Sequence, residues 1–148
     1  CGAMTKEKRQ KIVDGIMTPY RTDMYIEEPE AHIFPSTQRD FVYSLVSLLN
    51  GKTKHSCVIA THSPYIMTSF NNLIQAGLIA KESDEKAHKV KERFTYRQLL
   101  RYEDVAAFSM QDGYATSIMD EEYGLISADA LDAASQEISD DFNFLISI

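Results

Sequence analysis

Two short apolar runs, each ending in a polar switch and a proline, set the limits on what this chain can fold into. The first, Met24-Tyr25-Ile26, leads straight into Glu27-Glu28 and is closed by Pro29. A short apolar segment stopped by proline reads as a buried strand ending in a turn, because the residue before proline is pushed into extended backbone. The second, His55 to Thr61, is apolar at its centre and gives way to His62-Ser63-Pro64. Between them a turn through Pro29 to Pro35 leads to Ser36, the expected N-cap of a helix of about fifteen residues. Its inner face is expected to carry Phe41, Val42, Leu45, Val46, Leu48 and Leu49, and Asn50-Gly51 is a standard stop. Strand, helix, strand at this spacing is a βαβ unit, with a right-handed crossover and adjacent or near-adjacent parallel strands.

The flanking segments are read with the same rules. Residues 5–18 carry Ile12, Val13, Ile16 and Met17 as a helical stripe that Pro19 ends. After the second strand, Ser63 as cap and Pro64 at the first helical position open another helix. Its inner face would be Ile66, Phe70, Leu73 and Ile74, with Gly77 as its end. Residues 80–93 are charged and weakly periodic, a loop or an exposed helix, and 95–102 are ambiguous between strand and helix. Val105 to Met110 and Tyr114 to Met119, joined by Gln111-Asp112-Gly113, form an expected β-hairpin. Ser127 would cap a last helix, with Asp129 and Asp132 near its positive end and Leu131, Ala134, Ile138, Phe142 and Leu145 as its stripe.

Composition narrows the function classes. The chain has 148 residues, 44% hydrophobic and 25% charged, which suits one ordinary soluble domain. A domain of this size buries roughly 70% of the surface of its unfolded chain, enough for a core of its own. The net charge of −7 argues against a whole-domain nucleic-acid binder. The basic cluster Lys6, Lys8, Arg9 and Lys11 reads as a solvated helix face. Of two cysteines, Cys57 is expected to be a buried structural thiol, and Cys1 begins a Cys1-Gly2-Ala3-Met4 stretch that looks like a cloning remnant. No disulfide framework and no zinc-ligand spacing occur. With no signal peptide and no apolar run of about 18 residues, a cytoplasmic location without membrane contact is expected. The organisation expected is a single unit over residues 5–148, with the βαβ core at 22–77, a variable segment at 78–104, and the hairpin and last helix at 105–146.

The chemistry sits at the strand ends, where ligands bind in parallel sheets. Glu27 and Glu28 are adjacent, whereas two acids flanking a glycosidic bond occupy separated positions. A metalloprotease would need a His-x-x-x-His helix, which is absent. A metal–nucleotide site uses one carboxylate near Mg²⁺ and a second to hold the water that attacks phosphate. Solvated acids at a strand end are the plainer alternative. His62 ends the other strand, at the same edge of a βαβ unit, where an imidazole can hydrogen-bond a phosphate oxygen or sense its loss.

The run Tyr25-Ile26-Glu27-Glu28-Pro29-Glu30-Ala31-His32-Ile33-Phe34-Pro35, followed by Val58-Ile59-Ala60-Thr61-His62-Ser63-Pro64, resembles ABC-type ATPases. Within them it is most similar to the RecF/SMC-like AAA ATPases of repair and phage-defence systems, including the overcoming-lysogenization-defect type. The resemblance covers about residues 10 to 120. It implies that Glu27 stands for the Walker B aspartate near magnesium and that Glu28 is the water-activating acid. It further implies that Glu30, Ala31 and His32 belong to the D-loop at an ATP-sandwich interface, and that His62 is the switch histidine. The hairpin carrying Asp112-Gly113 resembles the family's C-terminal region.

The departures are equally specific. No Gly-x-x-x-x-Gly-Lys-Ser/Thr occurs; Gly51-Lys52-Thr53 follows a helix and lacks the first glycine, so no amide loop can cradle phosphates. The signature motif, the Q-loop and a Toprim nuclease module are also missing. The fold class implied is α/β, a partial P-loop NTPase sheet of the ABC-head type, with a parallel βαβ core, flanking helices, and a C-terminal hairpin and helix. In the family the P-loop strand lies beside the switch-histidine strand, so His55 to Thr61 would show an open edge. The expected cofactors are ATP and Mg²⁺ in the whole protein, with none held tightly by this chain, which alone is expected to be inactive. The expected partner is the missing P-loop half or a second ATPase subunit, with a homodimer through the D-loop face and nucleic acid only indirectly. The alternative is a non-catalytic interaction or dimerisation module that keeps the scaffold.

Overall fold

Pro29 and Pro64 follow the two apolar runs, which become paired strands, although Glu28, just before Pro29, is left-handed at φ 45° instead of extended. The computed structural model describes residues 22–51, 55–127, 143, 145 and 146. Strand β1 (Asp23–Glu27) pairs in parallel with β2 (Ser56–Ala60), in register from Asp23↔Ser56 to Glu27↔Ala60. Helix α1 (Pro35–Leu49) connects them, completing the expected βαβ order. The described residues are therefore mixed α/β, with one small parallel sheet and separate antiparallel hairpins.

The start of α1 corrects the expectation for Ser36. The N-cap is Phe34, without a side-chain hydrogen bond, and Pro35 takes the first helical position. Proline suits that site because its fixed φ is helical and its missing N–H would have had no partner there. Asn50 closes the helix, its amide donating to the Val46 carbonyl at 2.9 Å and the Gly51 amide to the Leu48 carbonyl at 3.2 Å. Val42, Leu45 and Val46 face inward as expected, and Phe41 and Leu49 are half-buried, but Leu48 is 58% exposed. The buried stripe is narrower than the apolar sequence because α1 packs chiefly against one helix.

That partner is α2 (Pro64–Glu82), which Ser63 caps by accepting from the amides of Tyr65 and Ile66. The core consists of Val42 and Val46 from α1, Ile66, Leu73 and Ile74 from α2, and Leu100, with Phe70, Phe94 and Tyr102 packed around them. Gly77 does not end α2. It is buried in mid-helix, where a Cβ would lie 2.0 Å from the Leu100 carbonyl oxygen. The glycine is there for close backbone approach.

Residues 80–93 are helical: α2 runs to Glu82, and α3 (Asp84–Lys91) follows with Ser83 accepting from the Lys86 amide. Helix α3 buries none of its residues and carries ion pairs from Lys86 to Glu82 and, at 2.9 Å, from Lys89 to Glu85. Residues 95–102 are neither strand nor α-helix. Two short 3₁₀ turns, Tyr96–Gln98 and Tyr102–Asp104, flank Leu100, which is buried in the core.

The hairpin is shorter than expected: β3 (Phe108–Gln111) pairs with β4 (Tyr114–Ser117). Asp112 and Gly113 form its turn, both at positive φ, as a tight hairpin of this hand requires. A second pair, β5 (Met119–Asp120) with β6 (Leu125–Ile126), was not expected. Asn71 anchors it to α2, its amide donating to the Ile126 carbonyl at 2.9 Å and its oxygen accepting from the Ile126 amide at 2.8 Å. Cys57 is half-buried, not a fully buried thiol, although burial still pushes it up from the ordinary thiol range. Tyr25 and Val58 sit side by side on one face of the small sheet, 79% and 57% exposed. The expected helices at 5–18 and after Ser127, and Cys1–Met4, lie outside the described residues, apart from Asn143, Leu145 and Ile146, which are helical.

Candidate functional site

The site is built where the parallel ladder stops. The last backbone rung runs from the Glu28 amide to the Ala60 carbonyl at 2.8 Å. In a continued parallel ladder the next rung would run from the His62 amide to the Glu28 carbonyl. It does not form. Glu28 sits at φ 45°, in the left-handed region, and its carbonyl accepts instead from the Ala31 amide at 2.9 Å. Pro29 follows, and β1 turns away from β2. His32 is also left-handed, at φ 63°. Such conformations cost about 1–3 kcal/mol each and persist only where surrounding contacts hold them.

Glu27, Glu28, Ala31, Ala60 and His62 line an open depression of about 460 Å³ beyond the strand ends. The structure thus brings Glu27, Glu28, Ala31 and His62 together, as the sequence placed them. It puts Glu30 and His32 elsewhere. The side chains of Glu27, Glu28 and His62 are exposed. Two acids and one imidazole facing a wet depression form a polar site that can bind a cation, orient water, or accept and donate hydrogen bonds.

Glu30 turns toward the β2 end. Its Oε2 accepts from the Thr61 hydroxyl at 2.8 Å, and its Oε1 accepts from the His62 amide at 2.8 Å. Thr61 Oγ1 also accepts from the Ser63 amide at 3.0 Å. Burial pushes the Glu30 carboxyl up, but its own amide, the His62 amide and the Thr61 hydroxyl, together with the charge of His62, outweigh it. The carboxyl is held below its ordinary value.

A second brace lies beneath. The Ser63 hydroxyl donates to Gln38 Oε1 at 2.5 Å, and Gln38 Nε2 donates to the Ile33 carbonyl at 3.1 Å. Gln38 is only 6% exposed, so this polar side chain in the first turn of α1 is fully engaged in joining the two turns. Sequence reasoning missed Gln38, and missed Thr61 as a partner of Glu30. The one signal for Gln38 was a polar residue on the inward side of an otherwise apolar helix.

Among the described residues, no group of three or more His, Cys, Asp or Glu side chains could hold a metal ion. Magnesium does not need such a cage, since it usually keeps several waters and takes one or two carboxylates plus substrate phosphates. Glu27, directly or through water, fits that partial donor set. Compared with protein-family models, with curated proteins and with solved structures, the chain has no match.

Proposed function

We propose that this chain is the Walker B, D-loop and switch-histidine portion of an ABC/SMC-like, RecF-related ATP-hydrolysing protein. The observation that carries the reading is that Glu27, Glu28 and His62, from two parallel strand ends, line one depression. In this reading Glu27 faces magnesium, directly or through water, and Glu28 orients the water that attacks the γ-phosphate. His62 donates to a phosphate oxygen from the neighbouring strand end. When bound, magnesium would neutralise developing charge on the phosphates. Glu27, one methylene longer than aspartate, suits a water-mediated contact.

ATP is the proposed cofactor in the whole assembly, and the chain alone is inactive because it has no amide cradle for phosphates. The missing P-loop half, on the same or another chain, is the proposed partner. The outer edge of β2 supports this, since no strand pairs with it among the described residues. Ala31 and His32 stay available to a second ATPase subunit, so a homodimer through the D-loop turn completes the proposal. No helix among the described residues is long and apolar enough to cross a membrane, in keeping with a proposed cytoplasmic location. A second reading, a non-catalytic interaction module, is favoured by one observation, the exposed Tyr25 and Val58 on one face of the small sheet.

Co-expression with a P-loop polypeptide encoded upstream, followed by phosphate-release measurement, separates the two. The ATPase reading predicts turnover by the mixture, none by the 148-residue chain alone, and loss with Glu28→Gln. Turnover indifferent to Glu28→Gln, or none with any such partner, favours the interaction module.

A further inference from the structure

The diverted rung at the end of β2 has a consequence for Glu30. Because the Glu28 carbonyl is taken by Ala31, the His62 amide needs another acceptor, and it finds the Glu30 carboxylate at 2.8 Å. The same carboxylate accepts from the residue before His62, through the Thr61 hydroxyl at 2.8 Å. Two hydrogen bonds to adjacent residues, one on backbone and one on side chain, fix both the position and the direction of the 61–62 turn. Charge makes them shorter and stronger than neutral equivalents.

We propose that Glu30 is a positioning residue, a side-chain substitute for the missing ladder rung that holds His62 beside Glu28 across the depression. The inference rests on the ATP-site reading and refines it. The resemblance placed Glu30 with the D-loop as a group facing nucleotide or a partner subunit. Here both of its oxygens are engaged within the chain, and it does not line the depression. Glu30 reaches the chemistry only through His62. A carboxylate suits this geometry because it offers one acceptor to each partner. Glutamine keeps one acceptor but turns a donor toward Thr61, whose oxygen already accepts from Ser63.

Two measurements test it. In the 148-residue chain, nuclear magnetic resonance follows the His62 amide proton against pH. The proposal predicts that this proton shifts with an inflection in the acidic range, that Glu30→Gln removes the inflection, and that Glu28→Gln leaves it. A His62 amide that ignores the Glu30 titration in the unaltered chain, or an inflection surviving Glu30→Gln, overturns the proposal. In the ATPase assembly with a P-loop polypeptide, Glu30→Ala is expected to lower turnover at saturating ATP by about 10–100-fold, the scale of a misplaced catalytic group. KM for ATP should stay within about twofold, with partial rescue by Glu30→Gln. A raised KM at unchanged turnover would make Glu30 a nucleotide contact and overturn the proposal. An assembly with no turnover at all would count against the ATP-site reading, while the amide titration would still decide the clasp.

Discussion

The amide of Glu28 donates to the carbonyl of Ala60, and in the same residue the backbone swings to φ 45°. One residue therefore both ends the sheet and carries an acid over the depression. A left-handed non-glycine residue costs about 1–2 kcal/mol. Glycine removes that cost but adds about 0.4–1 kcal/mol of unfolded-state entropy. Glu28→Gly is thus expected to stabilise the chain by roughly 0.5–1 kcal/mol net, while removing the proposed water-orienting acid. Urea unfolding checks this, with His32→Gly as a second position expected to move the same way. Clear destabilisation by both variants would contradict the strained turn.

Gly77 is predicted to tolerate nothing larger. A Cβ there would meet the Leu100 carbonyl oxygen at 2.0 Å, and both residues are buried. Neither backbone can yield without opening the α1–α2 core or breaking the Leu100 amide bond to the Leu73 carbonyl. Gly77→Ala should cost about 3 kcal/mol, the upper end of overpacking effects, despite alanine's better helix propensity. Thermal or denaturant unfolding reads it directly, and a neutral result would mean that the two segments do not touch.

Asn71 holds the β5–β6 hairpin by pairing with both backbone groups of Ile126. Ile126 is only 5% exposed, so its amide and carbonyl have little water to replace that pairing. Asn71→Ala should cost about 2–3 kcal/mol. It should also speed hydrogen exchange at the Ile126 amide far more than at Leu73. Equal exchange at both positions would show that the hairpin is held by something else.

Acid should loosen the strand-end turns. The folded Glu30 carboxyl lies below its ordinary value, so its contribution to stability is complete above the unfolded range. That contribution fades as pH falls through the folded value. The change should appear as faster exchange at the His62 amide, relative to core amides, once the pH falls below the ordinary carboxylate range, and Glu30→Gln should flatten it. Loosening on going alkaline instead would have the wrong sign for this carboxylate.

Local punctuation made much of this fold legible in the sequence. Pro29, Ser63-Pro64, Asn50-Gly51 and Asp112-Gly113 each act on their own backbone, and each marks an element boundary where expected. The parallel pairing follows once two strands and a crossover helix are placed. What stayed hidden depends on distant partners. Gly77 read as a helix stop, because a glycine kept for Leu100 looks no different from one kept for a turn. Leu48 read as core although α1 has neighbours on only part of its apolar surface. Ser36 has the side chain of a cap, but Pro35, with its fixed helical φ, takes the first helical position and sets the cap at Phe34. For the candidate site, the lining by Glu27, Glu28 and His62 was legible. The bonds of Glu30 and Gln38 were not, since each partner lies across the crossover and no spacing rule reaches that far.

In the proposed site Glu28 acts on water and not on binding. The most direct measurement is ATP retention and hydrolysis, read separately under single-turnover conditions, in the assembly of this chain with a P-loop polypeptide. Glu28→Gln is predicted to keep bound ATP and to slow its hydrolysis by at least about 100-fold, the size expected when a positioned acid–base group is lost. Hydrolysis at the unaltered rate, or loss of ATP binding with Glu28→Gln, would contradict the account.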